Sequence, residues 1–259
     1  MSRPSFDDCR GRLDRASSQI DDADKAIGRF LGDWPKPYAI RSEIDPQTGD
    51  HIWYAEVHAE PPLPLRLLIG ECVHNIRASL DNAMWELGLA YRGPPPDKLD
   101  FPVCFKPKGW KQSGWKVEAV PEAARSIIED AQPYKRPEAE RASWPLYMLD
   151  RLWNDDKHRA PSIVGAVATG SRLRIIKSGH GLGITPDSIK YGPFRHEREI
   201  ARFVMVHSPD PETEIEGEFT LGIAFDEEGA AKGGLVVPTL RKLHEFVRDD
   251  VLAKLDAAC

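Results

Sequence analysis

The chain has 259 residues, of which 41% are hydrophobic, and a formal net charge of -6. This acidic balance argues against a protein that coats nucleic acid or an anionic membrane through its net charge, although it allows a local basic groove. The sequence contains neither an apolar signal core near its start nor eighteen consecutive apolar residues. We therefore expect a globular protein of the cytoplasm with no membrane partner, folded as a single domain over residues 1–259.

The first part of the chain predicts a helix followed by a β-hairpin. Apolar residues recur three and four apart from Phe6 to Phe30, which predicts an amphipathic helix over about residues 5–33. Trp34 and the prolines after it end this helix. Two β-rich runs around the turn sequence PQTG then predict strands Tyr38–Ile44 and His51–Val57, in a hairpin that covers residues 38–58.

The segment Pro64–Tyr91 carries the strongest helical period of the chain, and we expect the fold to be organised around it. Its apolar residues share one face, which we expect to be buried. The opposite face, within about 120°, holds an acid, a base and a cation within reach of one another: Glu71, His74, Arg77, Asp81 and Trp85. A solvated outer face is the alternative interpretation, but exposed helix faces usually favour Lys and Glu over His, Asn, Asp and Trp.

The next stretch, residues 92–117, is rich in proline, glycine and lysine and predicts a surface loop with a short strand at Phe101–Phe105. Here lysines alternate with Trp110 and Trp115, a pattern that a groove for single-stranded nucleic acid also uses. The alternative is a loop whose lysines are solvated and whose tryptophans pack against the domain. A helix is predicted at Glu122–Asp130, because the proline after Gln132 disfavours its continuation.

A second helix in the region 122–156 is predicted at about Ser143–Asn154, and it ends in a run of charged residues from Asp155 to Arg159. One interpretation is that these charges only cap the helix terminus. The other pairs Asp156 and His158 with the polar face of the central helix, giving one site with two histidines, two aspartates and two arginines.

From residue 160 to 226 the hydrophobic period changes to two, which predicts an antiparallel sheet with one solvated face. The GHGLG sequence at Gly179–Gly183 lacks dinucleotide-binding spacing and predicts a turn. A last helix is predicted at about residues 238–257. The predicted class is therefore α+β: an antiparallel bundle of about five helices, an N-terminal β-hairpin and a C-terminal antiparallel sheet.

The four cysteines form no CxxC pair, so we expect free thiols and no cofactor.

Four blocks of the sequence resemble, in order, those of a widespread group of bacterial proteins, common in actinobacteria, that have no settled activity. The blocks are GECVHNIRASLDNAMWEL, DFPVCF, SIIEDAQPY and LDRLWNDDKHR. The resemblance covers about residues 65–163 and implies a shared pocket without naming a reaction. Its matching positions here are His74, Asn75, Arg77, Asp81, Asp156, Lys157, His158 and Arg159. Where the group commonly has a histidine after the aspartate, this chain has Asn82.

A more distant resemblance, through the helical bundle and an arginine-to-histidine spacing, is to HEPN proteins. Many of these are metal-independent ribonucleases with an R-x4-6-H motif. Arg77 and Asn82 have the spacing but lack the histidine, and asparagine cannot transfer the proton that attack by a 2′-hydroxyl requires. Arg151 and His158 fit R-x6-H, but so many arginines make such matches common by chance.

Two hypotheses of function follow. The first is a ligand-binding, partner-binding or structural protein, in which His74–Asp156 and Arg77–Asp81 contacts lock two helices. The second is a metal-independent enzyme that cleaves RNA or processes nucleotides. Its catalytic residues would be His74, Arg77, Asp81, Asp156, His158 and Arg159, with Asn75, Asn82, Trp85 and Lys157 in binding roles. The predicted partners are RNA or a nucleotide, or a second copy of the chain in a homodimer. A metal site of two histidines and two carboxylates is a weaker alternative.

Overall fold

The computed structural model describes residues 3–93, 99–157, 160–177, 189–204, 213–228 and 231–259. It confirms the predicted α+β class: helices surround a long central helix, and small antiparallel sheets lie beside them. No helix in these ranges is long and apolar enough to cross a membrane. The GHGLG turn, His158 and Arg159 lie outside the described residues.

Two long helices dominate the helical part. They are α1 (Asp7–Gly32) and α2 (Leu63–Arg92), and they pack along each other. Pro62 and Pro64 occupy the start of α2, where a missing N–H costs nothing, and Gly93 ends it with a positive φ of 88°. The shorter helices of the first part follow: α3 (Pro107–Gln112), α4 (Gly114–Val117), α5 (Glu122–Asp130) and α6 (Pro145–Asp156).

The C-terminal helix is continuous from Val236 to Ala258 but changes its hydrogen-bonding pattern. It consists of α7 (Val236–Glu245), a π-helical segment (Phe246–Leu252) and α8 (Ala253–Ala258). The period of apolar residues predicted one uniform helix here, and it carries no signal for the wider turn. This helix contacts α1, α2, α5 and α6, so it closes the helical part of the fold.

The strands pair antiparallel in three sheets within the described residues. The strands are β1 (Tyr38–Ile44), β2 (His51–Val57), β3 (Ile163–Val167), β4 (Arg172–Lys177), β5 (Gly192–Pro193), β6 (Arg198–Phe203), β7 (Glu214–Glu218) and β8 (Leu221–Phe225). Their orders are β1-β2-β6, β5-β3-β8 and β4-β7. The predicted hairpin forms with the predicted bounds. The prediction of one separate C-terminal sheet is wrong, because β6 pairs with β2 and thereby joins the N-terminal hairpin.

The strand predicted at Phe101–Phe105 is also wrong: this segment has no strand structure. The Phe101 side chain is fully buried. Its backbone pairs with side chains instead of a neighbouring strand: the N–H donates to Asp81 and the carbonyl accepts from Arg77, both at 2.9 Å. This strand-like sequence therefore packs on α2, and side chains of that helix form the hydrogen bonds that the Phe101 backbone needs.

Candidate functional site

Arg77 lies at the centre of the contact between α2 and α6 and is almost fully buried, with a side chain only 2% exposed. Its guanidinium donates to Asp81, one helical turn away, and to the Phe101 carbonyl. Its Nε lies 3.7 Å from a carboxylate oxygen of Asp150, an ion-pair distance, and makes no hydrogen bond. The expectation that Arg77 faces a ligand is therefore wrong, because α6 and the 101 segment enclose it. The Arg77–Asp81 contact expected of a structural network is present.

Two carboxylates share this one buried cation. Burial raises the pKa of Asp81 above its usual range, although Arg77 and the Phe101 N–H lower it in part. Burial likewise raises the pKa of Asp150, against the attraction of Arg77 and Lys157. Asn154 also donates to Asp150, at 3.1 Å. Sequence reasoning missed Asp150, although its spacing, one helical turn before Asn154, could have indicated it. The group forms a buried polar network that fixes α6 against α2.

Trp153 connects this network to the surface. The Arg77 guanidinium lies 5.0 Å from the centre of the indole ring, and the ammonium of exposed Lys157 lies 3.1 Å from it. Such cation–π contacts are typically worth about 0.5–2 kcal/mol, depending on exposure. The sequence predicted Trp153 as part of the apolar stripe of α6, and its half-buried ring does pack against the hydrophobic core while also contacting these two cations.

His74 is exposed and receives the indole N–H of Trp153 at its Nδ1, over 3.3 Å. An indole N–H can only donate, so Nδ1 must be the acceptor and the neutral imidazole carries its proton on Nε2. In this arrangement His74 offers a ligand a hydrogen-bond donor. It has no free ring nitrogen with which to remove a proton.

Asp156, the last residue of α6, is brought against α2 at Gly70. A Cβ added at Gly70 would lie 2.2 Å from an Asp156 carboxylate oxygen, so the absence of a side chain there permits the contact. Burial raises the pKa of Asp156, while nearby His74 lowers it. Among the residues that the structure describes, Asp156 has no hydrogen-bond partner. Asp156 and His74 therefore lie at the same groove, but the predicted contact between them is not formed as a hydrogen bond or an ion pair.

These residues line an open groove of about 620 Å³. Asp156 and Ala160 line its α6 side, and α1 and α2 line the rest with Arg15, Gln19, Leu67, Glu71, His74 and Asn75. Gln19, 2% exposed, joins the two helices by donating to Glu71 at 3.1 Å and accepting from Asn75 at 2.9 Å. The groove therefore has a rigid polar floor. Sequence reasoning missed the contributions of α1, because they come from a helix whose polar residues showed no unusual pattern.

The remaining predicted residues lie in different places. Asn82 is half-buried, Trp85 is 41% exposed further along α2, and neither lines the groove. Lys157 is exposed beside Trp153. In the described part of the chain no three His, Cys, Asp or Glu side chains form a group that could hold a metal ion. The metal alternative also requires His158, outside that part.

The lysine and tryptophan segment forms α3 and α4 rather than an extended loop. The Trp110 ring packs 6.2 Å from that of Tyr134, and Lys116 pairs with Asp100 at 2.7 Å. Trp115 is 46% exposed. Because one lysine is neutralised and one tryptophan is packed, this segment offers less of a phosphate and base platform than the sequence pattern indicated.

Comparison of the chain with models of protein families, with curated proteins and with solved structures found no match.

Proposed function

We propose that the protein binds a small amine in the groove between α1, α2 and the end of α6. The observation that carries this proposal is the partly buried Asp156 carboxylate, which lines an open groove without a hydrogen-bond partner in the described chain. A carboxylate that is partly withdrawn from water and open to a groove forms charge-assisted hydrogen bonds with an ammonium group that enters it. The helical bundle predicted from the sequence would be the scaffold of this site.

The charges of the groove favour a cationic ligand over an anionic one. Among the described residues that line the groove, Glu71 and Asp156 provide two carboxylates against one guanidinium, that of Arg15. Leu67, 50% exposed, adds an apolar surface for a short hydrocarbon chain. The volume suits a compact ligand, since small-molecule pockets typically span about 300–1,000 Å³.

The ribonuclease alternative has less support from the same residues. Arg77 is enclosed and already paired, so it would have to leave its partners to hold a phosphate. His74 has its Nδ1 occupied by Trp153. Asn82 stands where the motif needs a histidine, and it does not line the groove.

Titration of isotopically labelled protein, followed by nuclear magnetic resonance, tests the proposal. The probes are putrescine as the amine, L-leucine as a zwitterion and AMP as a nucleotide. We expect putrescine to shift the signals of His74 and of the Trp153 indole, and Asp156→Asn to weaken its binding by about tenfold or more, as loss of a charge-assisted contact would. A response to AMP alone, or unchanged putrescine binding in Asp156→Asn, contradicts it.

A further inference from the structure

The outer face of α2 carries a narrow stripe of residues that α1 and α6 leave uncovered. At about 100° per residue, the stripe occupies roughly 80° of the helix circumference. Its members are Leu67, Glu71, His74, Ala78, Asn82, Trp85, Leu89 and Arg92, of which Ala78 and Asn82 are half-buried and the others exposed. Leu67, Trp85 and Leu89 are 50%, 41% and 45% exposed, respectively. Trp85 and Leu89, two large exposed apolar side chains one turn apart on this stripe, form a surface typical of a helix partner.

The order of residues along this stripe is complementary to itself when it is reversed. We propose that α2 pairs antiparallel with α2 of a second copy of this chain, about a twofold axis between Asp81 and Asn82. Positions equally far from that axis then face each other: Trp85 meets Ala78, Leu89 meets His74, and Arg92 meets Glu71. A twofold interface repeats each pairing, so each of these contacts forms twice.

Two of the three pairings join chemically suited groups. The indole of Trp85 is large and Ala78 is small and recessed between its neighbours, so the ring has a place to pack. Glu71 and Arg92 are both exposed and opposite in charge. The two resulting ion pairs lie towards the ends of the interface, where they select the antiparallel register more than they add affinity.

The contact also bears on the groove, although it does not depend on the proposed ligand. Arg92 of the second copy would lie beside Glu71 and His74 and form a further wall of the groove. Asp156 lies on the α6 side of α2, against Gly70, and stays open. The second copy therefore contributes a residue to the candidate site.

Analytical ultracentrifugation of the full chain across a concentration series, without added ligand, tests the pairing. We expect a monomer–dimer equilibrium for the native chain. Glu71→Arg or Arg92→Glu, each of which places like charges opposite one another twice, should raise the dissociation constant by about tenfold or more. The double variant restores opposite charges and should return to within about threefold of the native value. Trp85→Ala should weaken the dimer, whereas Leu63→Ala, 51% exposed but off the paired region, should not.

A second measurement uses the closeness of Asn82 to the axis. In a Cys259→Ser background, in which the other three cysteines are buried, oxidation should link two copies of Asn82→Cys and leave Leu63→Cys unlinked. A native chain that remains monomeric throughout the series overturns the proposal. So does a dimer that is indifferent to both charge reversals, since it would form through another surface.

Discussion

The Asp156 carboxylate rests on the backbone of α2 at Gly70, so closely that a methyl group at position 70 would lie 2.2 Å from one of its oxygens. We expect Gly70→Ala to rotate Asp156 away from the groove, because its carboxylate is the end of a side chain that can turn. Alanine also favours the helix by about 1 kcal/mol, so the free energy of unfolding should change by less than that amount. Titration with putrescine should show weakened binding.

Gly11→Ala is the matched control for Gly70→Ala. Gly11 also lies within a helix, α1, and nothing would lie within 4 Å of its new methyl group. It should stabilise the protein and leave putrescine binding unchanged. Full binding by Gly70→Ala would show that the position of Asp156 does not matter.

Arg77→Met is expected to lower the free energy of unfolding by about 3 kcal/mol, as removal of one partner from a buried ion pair usually does. The change leaves Asp150 without its cation and the Phe101 carbonyl without a donor. Urea unfolding followed by tryptophan fluorescence measures it. The control is Arg151→Met, whose exposed pair with Asp155 at 3.6 Å should contribute about 0.5 kcal/mol or less. Equal stability of the two variants would mean that the Arg77 network does not hold α6 in place.

Trp153→Phe is expected to change the tautomer of His74. The indole N–H now occupies Nδ1 and holds the imidazole proton on Nε2. Without that donor, both neutral tautomers become accessible. A two-bond proton–nitrogen correlation spectrum at neutral pH distinguishes them. Tyr147→Phe, on the same helix, should leave the His74 signals unchanged. An identical Nε2–H tautomer in Trp153→Phe would argue that another group orients His74.

Asp156 should make stability depend on pH in a definite direction. Because burial raises its pKa in the folded protein, the folded state binds the proton more tightly than the unfolded state. The stabilising contribution of this tighter proton binding to the free energy of unfolding is complete below the ordinary carboxyl pKa of about 3.9. It is lost as the pH rises through the raised pKa of the folded protein. Asp156→Asn should therefore be at least as stable as the native chain at pH 7.

Urea unfolding of both proteins at several pH values checks this prediction. The difference between them should shrink as the pH falls through the raised pKa and below about 3.9, where the native carboxyl becomes protonated in the unfolded state as well as in the folded state. Asp14→Asn, at an exposed carboxylate, controls for the loss of one surface charge. A stability advantage of the native chain that grows with pH would mean that the ionised form of Asp156 is favoured in the fold.

Local signals predicted the local parts of the fold well. The hairpin strands β1 and β2 and helix α5 have the predicted bounds, because the PQTG turn and the prolines that flank α5 act within a few residues of the elements that they delimit. The pairing of β6 with β2 was not predictable in this way. The alternation of apolar and polar residues identifies a strand, but it carries no information about which distant strand will pair with it.

The same distinction holds for the candidate site. The helical wheel placed His74 correctly on the exposed side of α2, but it also placed Arg77 there. A wheel gives the direction of a side chain from its own helix axis and not the position of a second helix. Gly70 and Gln19 were missed for a related reason: each matters through what packs on it from another element.

The union of β6 with the N-terminal hairpin has a consequence for how the chain assembles. During synthesis, β1 and β2 emerge long before β6, so one edge of β2 stays unpaired while most of the chain is made. Unpaired edges invite association with other chains, and pairings between distant segments form slowly. The nascent protein must therefore keep this edge covered until Arg198–Phe203 arrives, and chains that stop short of that strand should be prone to aggregate.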